Sequence, residues 1–243
     1  VVTNMAAIKW SNTGADHEQV DACTTQDGTV LVVASITVAT KFQLKVYRRA
    51  IDASTWTGIV VASNLEIRPQ AGIAVMPDQS IQIWHWVEDS GNTAQIRVQR
   101  STDDGATWAT TATGALDTPI DTSGSPGAGA AGYALGRIRA ASDRGQSLVL
   151  AHLIANNTTP THRSCLLQAA GVSNGEALTT IEITDGTAFY GFPAVTASGG
   201  IFYTAIHRGP PDDEVTITPI VSAFTTITTA TSFAGPSYGG RNI

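Results

Sequence analysis

The feature that most constrains the fold is an internal repeat of very apolar segments. Each segment follows a hairpin-turn signal and is apolar at nearly every position. Counted from one matching position to the next, the repeats lie 50, 67 and 55 residues apart. The segments are 29–36, 79–86, 146–153 and 200–208, and the matching positions are Ser35, His85, His152 and His207.

This repeat predicts an all-β fold built from small sheets. In each unit an apolar strand, a turn, the very apolar strand and a polar loop precede a third, alternating strand. A four-stranded sheet cannot bury both faces alone, whereas radially placed sheets cover one another, and a β-sandwich does not predict such self-similarity. We therefore predict a β-propeller of about four four-stranded antiparallel blades, with five blades or part of a larger propeller as alternatives.

Residues 1–243 are predicted to form one domain, with blades at 19–70, 71–135, 136–191 and 192–243. The region 114–132 is rich in glycine, proline and serine, and we expect a flexible insertion outside the sheet. Within residues 1–18, the segment 5–11 resembles an outer strand and is predicted to join the last blade and close the ring. The chain opens without an initiating Met, so we expect a processed chain or a piece of a longer one.

Composition excludes several partners and cofactors. The chain has 14 Lys and Arg against 20 Asp and Glu, a net charge of −6, which argues against nucleic acid and anionic membranes. No apolar run reaches the roughly 18 residues that a membrane span needs. Cys23 and Cys165 form no CxxC pair, so no zinc site is indicated. We expect no cofactor, no metal and no membrane insertion.

One short motif is much more specific than the rest of the sequence. Residues 101–108 match Ser-x-Asp-x-Gly-x-Thr-Trp through Ser101, Asp103, Gly105, Thr107 and Trp108. The Ser and Asp side chains are expected to bond turn amides, the glycine to supply a positive φ, and the tryptophan to hold the hairpin against the blade. The motif resembles the Asp-box, or BNR repeat, of sialidase-like β-propellers. That resemblance implies a structural hairpin between the third and fourth strands of a blade, away from the catalytic face.

A second, decayed copy lies at 49–56 and keeps only Thr55 and Trp56. The corresponding turns at 171–175 and 222–223 have lost the motif. The resemblance therefore covers the whole chain as architecture but depends on one clean motif.

The resemblance also implies where an active site would lie. Sialidases of this fold use three arginines for the substrate carboxylate, an Asp acid/base, and a Tyr nucleophile activated by a Glu. Arg68 lies in an Ile-Arg-Pro sequence where the family has Arg-Ile-Pro. Arg137 and Arg139 come near the same point in the third unit, and Arg208 follows the second strand of the fourth. These arginines are candidates for binding a glycan carboxylate or phosphate. No Tyr-Glu pair is identifiable, and catalytic sialidase propellers have six blades, so no catalytic residue is predicted.

The repeated histidines are not predicted to bind a metal, because whole blades separate them and zinc ligands must lie about 2 Å from one ion. Each imidazole is expected to pack and to bond a neighbouring backbone carbonyl. Trp84 and Trp86 flank His85 and point the other way. They are expected to fill a seam between blades; Trp86 is also a ligand-binding candidate, since an exposed aromatic face can stack on a sugar ring.

Together these observations predict a non-enzymatic propeller module that binds a glycan or receptor or serves structural assembly. A secreted, cell-surface or virion protein, such as a phage tail or capsid protein, fits this composition. The expected partner is a glycan or a neighbouring protein subunit, in a homo-oligomer or a larger assembly. The alternatives are a sialidase-like glycoside hydrolase and a structural spacer without a ligand.

Overall fold

The computed structural model of the protein is all-β wherever it describes the chain. The described backbone comprises residues 17–66, 69–76, 78–88, 93–112, 120–121, 133–143, 146–155, 162–170, 177–182, 190–198, 201–208, 214–221 and 231–234. Side chains are described for residues 21–66, 69–76, 78–87, 96–110, 138–142 and 194–196. The predicted closing strand at 5–11, Arg68 and the turns at 171–175 and 222–223 lie outside these residues. Within them, no helix is long and apolar enough to span a membrane.

The described residues form short strands, as the turn-rich sequence predicts. In chain order they are β1 (His17–Thr24), β2 (Val30–Val38), β3 (Lys41–Arg49), β4 (Thr57–Leu65), β5 (Ala71–Val75), β6 (Ile81–Glu88), β7 (Thr93–Ser101), β8 (Ala109–Ala112), β9 (Ile120–Asp121), β10 (Tyr133–Asp143), β11 (Gln146–Ala155), β12 (His162–Ala170), β13 (Ala177–Glu182), β14 (Tyr190–Ser198), β15 (Ile201–Arg208), β16 (Glu214–Val221) and β17 (Thr231–Ala234).

These strands pair into four antiparallel sheets in which sequence neighbours are also neighbours in space. Sheet I is β1–β4, sheet II is β5–β8 with β9 at its edge, sheet III is β10–β13 and sheet IV is β14–β17. The first strands of successive sheets contact one another, β1 with β5, β5 with β10 and β10 with β14. The prediction of repeated four-stranded antiparallel sheets is therefore confirmed. β1, β10 and β14 begin two or three residues before the starts predicted for their units.

The described core lies between sheets I and II. Apolar side chains on alternate positions of the strands meet there and exclude water, each contributing about 1.5–3 kcal/mol. The buried members include Leu31, Val33, Leu44, Val46, Ile73, Ile81, Ile83 and Val87. Trp84 and Trp86 on the other face of β6 are also fully buried. A second strand buried on both faces explains why its sequence is apolar at nearly every position.

The turns before β2 and β6 correct the alignment of the repeats by one residue. In the first turn Thr29 O accepts from Thr25 N, and Thr25 O accepts from Gly28 N. Met76, Gln79 and Ser80 form the same two hydrogen bonds 51 residues later. The residue that corresponds to His85 is therefore Ala34, and Ser35 corresponds to Trp86. The apolar pattern alone could not distinguish the two registers, because both faces of these strands are buried.

A short part of the predicted insertion belongs to sheet II. Ile120 and Asp121 form β9 and pair with Ala94 and Thr93 of β7. The expectation that all of 114–132 lies outside the sheet is therefore wrong at these two residues. The physical reason is that the four-residue β8 pairs only with 98–100. The start of β7 thus has edge hydrogen-bonding groups without a partner from β8, and β9 supplies one.

Candidate functional site

A polar cluster joins the first strands of three consecutive sheets. Asp21 on β1 accepts a hydrogen bond through Oδ2 from the backbone N–H of Ile73 on β5, at 3.1 Å. Its Oδ1 lies 3.8 Å from Nη1 of Arg139 on β10. The side chains of Asp21 and Arg139 are 19% and 25% exposed, so both can be reached from solvent. We call Asp21, Ile73 and Arg139 the inner-strand cluster.

Local sequence explains why β1, β5 and β10 come so close. A β-bulge lies immediately before Asp21, between Glu18 and Asp21, and it re-aims the strand that follows. Gly72 on β5 has no side chain, and a Cβ there would lie 3.0 Å from Ala140 N and 3.1 Å from Arg139 C. Any larger residue would push β10 away, so Gly72 permits the close contact that carries Arg139 to the cluster.

The electrostatics of the cluster are set by partial burial. Burial raises the pKa of Asp21, and the positive charge of Arg139 and backbone hydrogen bonds from Ile73 and Ala22 counteract part of that rise. Burial, followed by the negative charge of Asp21, raises the pKa of the Cys23 thiol to about 12, so this thiol stays neutral. The pair offers a carboxyl acceptor and a guanidinium donor side by side. Chemically, it can bind neighbouring hydroxyl groups or, through a protonated Asp21, donate a proton.

Of the predicted arginines, only Arg139 has a described side chain, and it lies in the cluster. The backbone of Arg137 lies in β10 within the register shift between Leu135 and Ile138, a bulge like that of β1. The backbone of Arg208 ends β15 and pairs with Tyr190 and Glu214. Arg68 lies outside the described residues.

The prediction that Trp86 is an exposed residue able to stack on a sugar ring is wrong. Its side chain is 0% exposed, as is that of Trp84 on the same face. β6 is the second strand of its sheet, and the packing that buries both of its faces leaves no aromatic surface for a ligand. The seam-filling alternative agrees with this burial.

His85 is a packed residue on the opposite face of β6 from Trp86. It is fully buried, and its Nδ1 lies 3.2 Å from the carbonyl oxygen of Trp86, while Nε2 has no hydrogen-bond partner. Burial lowers its pKa to about 4; the hydrogen bond with Trp86 O opposes part of that fall, and the positive charge of Arg97 adds to it. The expected bond to a neighbouring carbonyl is confirmed for His85. The part of the chain with described side chains contains no group of three or more potential metal ligands.

The hairpin of residues 101–108 is held by its own side chains. Asp103 accepts from Thr107 N at 2.8 Å and from Thr107 Oγ1 at 2.6 Å, which lowers the pKa of its carboxyl to about 2. Ser101 Oγ accepts from Gly105 N at 2.9 Å, and Trp108 Nε1 donates to Gly105 O at 3.1 Å. Gly105 has φ +80°. These are the local bonds that the motif predicts.

This hairpin also joins sheet II to sheet I. Arg48 of β3 donates through Nε to the carbonyl oxygen of Asp104 at 2.7 Å. Beside it, Gln26, Asp27, Gln79 and Asp104 line an open cavity of about 320 Å³. Asp27 is already engaged by Thr29, whose N–H and hydroxyl both donate to it at 3.1 Å. The cavity is therefore a gap between structural turns.

The residue that sequence reasoning missed is Asp21. A weak signal was present, because Asp21 alternates with Cys23 in a strand whose partners are apolar. An acid at a position that faces a neighbouring sheet needs a partner there. The sequence did not indicate that this partner is Arg139.

Comparisons with solved structures find β-propellers. The GH93 α-L-arabinofuranosidase of Fusarium graminearum with arabinobiose has a TM-score of 0.64 and 15% identity, over 93% of this chain and 72% of that chain. The α-L-arabinanase of Penicillium chrysogenum complexed with arabinobiose has a TM-score of 0.63 and 13% identity, over 89% of this chain and 66% of that chain. A Hadza microbial sialidase has a TM-score of 0.57 and 14% identity, over 89% of this chain and 46% of that chain. No protein-family model matches the chain, and no curated protein is significantly similar in sequence.

The chain spans 66% of the arabinanase and 46% of the sialidase, so both neighbours contain substantial structure beyond the matched part. At such low identity the likeness establishes the fold and carries no residue roles. The repeated antiparallel sheets and these neighbours together show that the chain has a sialidase-like β-propeller fold.

Proposed function

We propose that the protein is a carbohydrate-binding β-propeller module whose ligand contacts the inner-strand cluster. The observation that carries this proposal is the partly exposed pairing of Asp21 with Arg139 across first strands of different sheets. Paired carboxylate and guanidinium groups match the hydroxyls of a sugar, because one accepts and the other donates hydrogen bonds. Two structural neighbours are complexes with arabinobiose, which supports a carbohydrate as the ligand.

The finer architecture belongs to the same proposal. We propose about four blades, closed by a strand from the first 18 residues, and an Asp-box at 101–108 with a purely structural role. The hydrogen bonds of Ser101 and Asp103 and the contact of Arg48 with Asp104 support that structural role. The local bonds hold the hairpin in shape, and the Arg48 bond joins that hairpin of sheet II to sheet I.

Isothermal titration calorimetry with purified oligosaccharides tests the binding function. Wild-type protein is expected to bind at least one oligosaccharide with a Kd below about 1 mM, equivalent to about −4 kcal/mol. Arg139→Gln should weaken that binding at least tenfold. Arg48→Gln is the matched control, because Arg48 contacts the structural hairpin, and it should bind like wild type.

Absence of binding across a broad glycan array would contradict the proposal. If the protein instead formed a stable oligomer through a large protein contact, the assembly role would replace the binding role. Light scattering coupled to size-exclusion chromatography measures that oligomer directly.

A glycoside hydrolase is the second candidate, favoured by one observation. Burial raises the pKa of Asp21, and an acid with a raised pKa is a potential proton donor for glycoside cleavage. Turnover of a fluorogenic sialoside or of 4-nitrophenyl α-L-arabinofuranoside, lost in Asp21→Asn or Arg68→Ala, would establish catalysis. No turnover by wild-type protein would leave binding as the function.

A further inference from the structure

We infer that the inner-strand cluster selects neutral glycans and discriminates against glycans that carry a carboxylate. This inference deepens the proposed carbohydrate-binding function and depends on it. It starts from the pairing geometry of Asp21 and Arg139, which makes the cluster formally neutral while its carboxylate is ionised.

Arg139 is not available as a simple receptor for an anion. A carboxyl oxygen of Asp21 already lies 3.8 Å from its Nη1. That carboxyl accepts a hydrogen bond from the backbone N–H of Ile73 at 3.1 Å, so it cannot move away from Arg139 without losing that hydrogen bond as well as the ion pair. An acidic sugar bound to Arg139 would therefore place its carboxylate against that of Asp21, and like charges at such a distance repel.

A neutral sugar meets no such repulsion. One hydroxyl can donate to the carboxylate of Asp21 while a neighbouring hydroxyl accepts from the guanidinium of Arg139. Cys23, the other titratable group two residues from Asp21, is a neutral thiol and adds no charge to the cluster. The net charge of −6 on the whole chain also disfavours anionic ligands at long range.

The test uses three probes, arabinobiose, lactose and 3′-sialyllactose, with calorimetry on the whole chain. Lactose and 3′-sialyllactose are a matched pair that differs by the charged sugar. Wild-type protein should bind at least one neutral probe, and should bind 3′-sialyllactose at least tenfold more weakly than that probe.

The variant Asp21→Asn removes the charge of residue 21 while keeping a side chain of nearly the same shape. It retains an acceptor for Ile73 N but removes the negative charge. The ratio of the affinity for 3′-sialyllactose to the affinity for the neutral probe should therefore rise at least tenfold. Arg139→Gln should lose binding of every probe. If Asp21→Asn fails to fold, the same ratio measured on wild type at decreasing pH replaces it, because protonation of Asp21 should also raise the ratio.

The outcomes separate the two proposals. Wild-type binding of 3′-sialyllactose as tight as that of the neutral probes overturns the selectivity and leaves carbohydrate binding intact. A folded Asp21→Asn protein, or low-pH wild type, with an unchanged ratio also overturns it. Absence of binding to all three probes and to a broad glycan array overturns the carbohydrate-binding function and the selectivity together.

Discussion

Leu31 of β2 occupies the space that any side chain at position 105 would need. A Cβ on Gly105 would overlap Leu31 Cδ2, and Leu31 is a fully buried member of the core between sheets I and II. The hairpin turn of one sheet is thus packed directly against the core of the next. This contact explains why the turn has glycine at a position with φ +80°.

Gly105→Ala is therefore expected to destabilise the protein by about 2–4 kcal/mol, from the positive φ and from displacement of Leu31. Urea unfolding followed by tryptophan fluorescence measures the change. Gly58→Ala is the matched control, because the Cβ there would overlap only the flexible end of Lys45 and make an ordinary 3.4 Å contact with Tyr47 Cε1, so its cost should stay below about 1 kcal/mol. Equal costs for both variants would show that the contact with Leu31 is unimportant.

Gln79→Gly is expected to stabilise the protein by up to about 1 kcal/mol. Gln79 has φ +67°, in a turn whose hydrogen bonds match those of the turn containing Gly28 with φ +86°. Glycine reaches this conformation without strain, although its greater freedom in the unfolded chain offsets part of the gain. The reciprocal variant Gly28→Gln should be destabilised, and a higher melting temperature for Gly28→Gln than for wild type would refute the explanation.

His85 should make stability depend on pH between about 6.5 and 4. Its pKa is lowered to about 4 in the folded protein, so the native state favours the neutral imidazole. The stabilisation from this preference is complete above the unfolded pKa of about 6.5 and is lost progressively as pH falls towards 4. The loss can reach about 3 kcal/mol. Urea titrations at several pH values should show it in wild type and a flatter profile in His85→Gln.

The His85 prediction rests on a difference between two proteins, because carboxylates also titrate at acidic pH. Their contribution is common to wild type and His85→Gln and cancels in the comparison. Parallel pH profiles for the two proteins would mean that His85 is not buried as a neutral imidazole.

Asp103→Ala is expected to cost about 1–2 kcal/mol, because Thr107 N and Thr107 Oγ1 lose their acceptor. The lowered pKa of Asp103 means that this stabilisation is present above the unfolded value of 3.8 and declines as pH falls towards about 2. Asp52→Ala, in the decayed turn of sheet I, is the control and should stay within about 0.5 kcal/mol of wild type. A cost for Asp52→Ala as large as that for Asp103→Ala would contradict the prediction.

The residue pattern along the chain specifies the sheets and the local turns. Alternation, turn residues and the repeated apolar strand predicted the successive antiparallel sheets, and the bonds between Asp103 and Thr107 followed from a motif of eight residues. These features depend on neighbours along the chain, so their residue pattern is sufficient to specify them.

Which side chains meet across sheets, in contrast, depends on how the sheets pack. Asp21 lies opposite Arg139, Trp86 is buried between sheets, and β9 pairs with the start of β7. Alternation indicates which residues share a face of a strand. It does not indicate which neighbouring sheet covers that face, or which residues of the two sheets lie opposite each other. Pairings between residues far apart in the chain depend on that packing, and the candidate site consists of such a pairing.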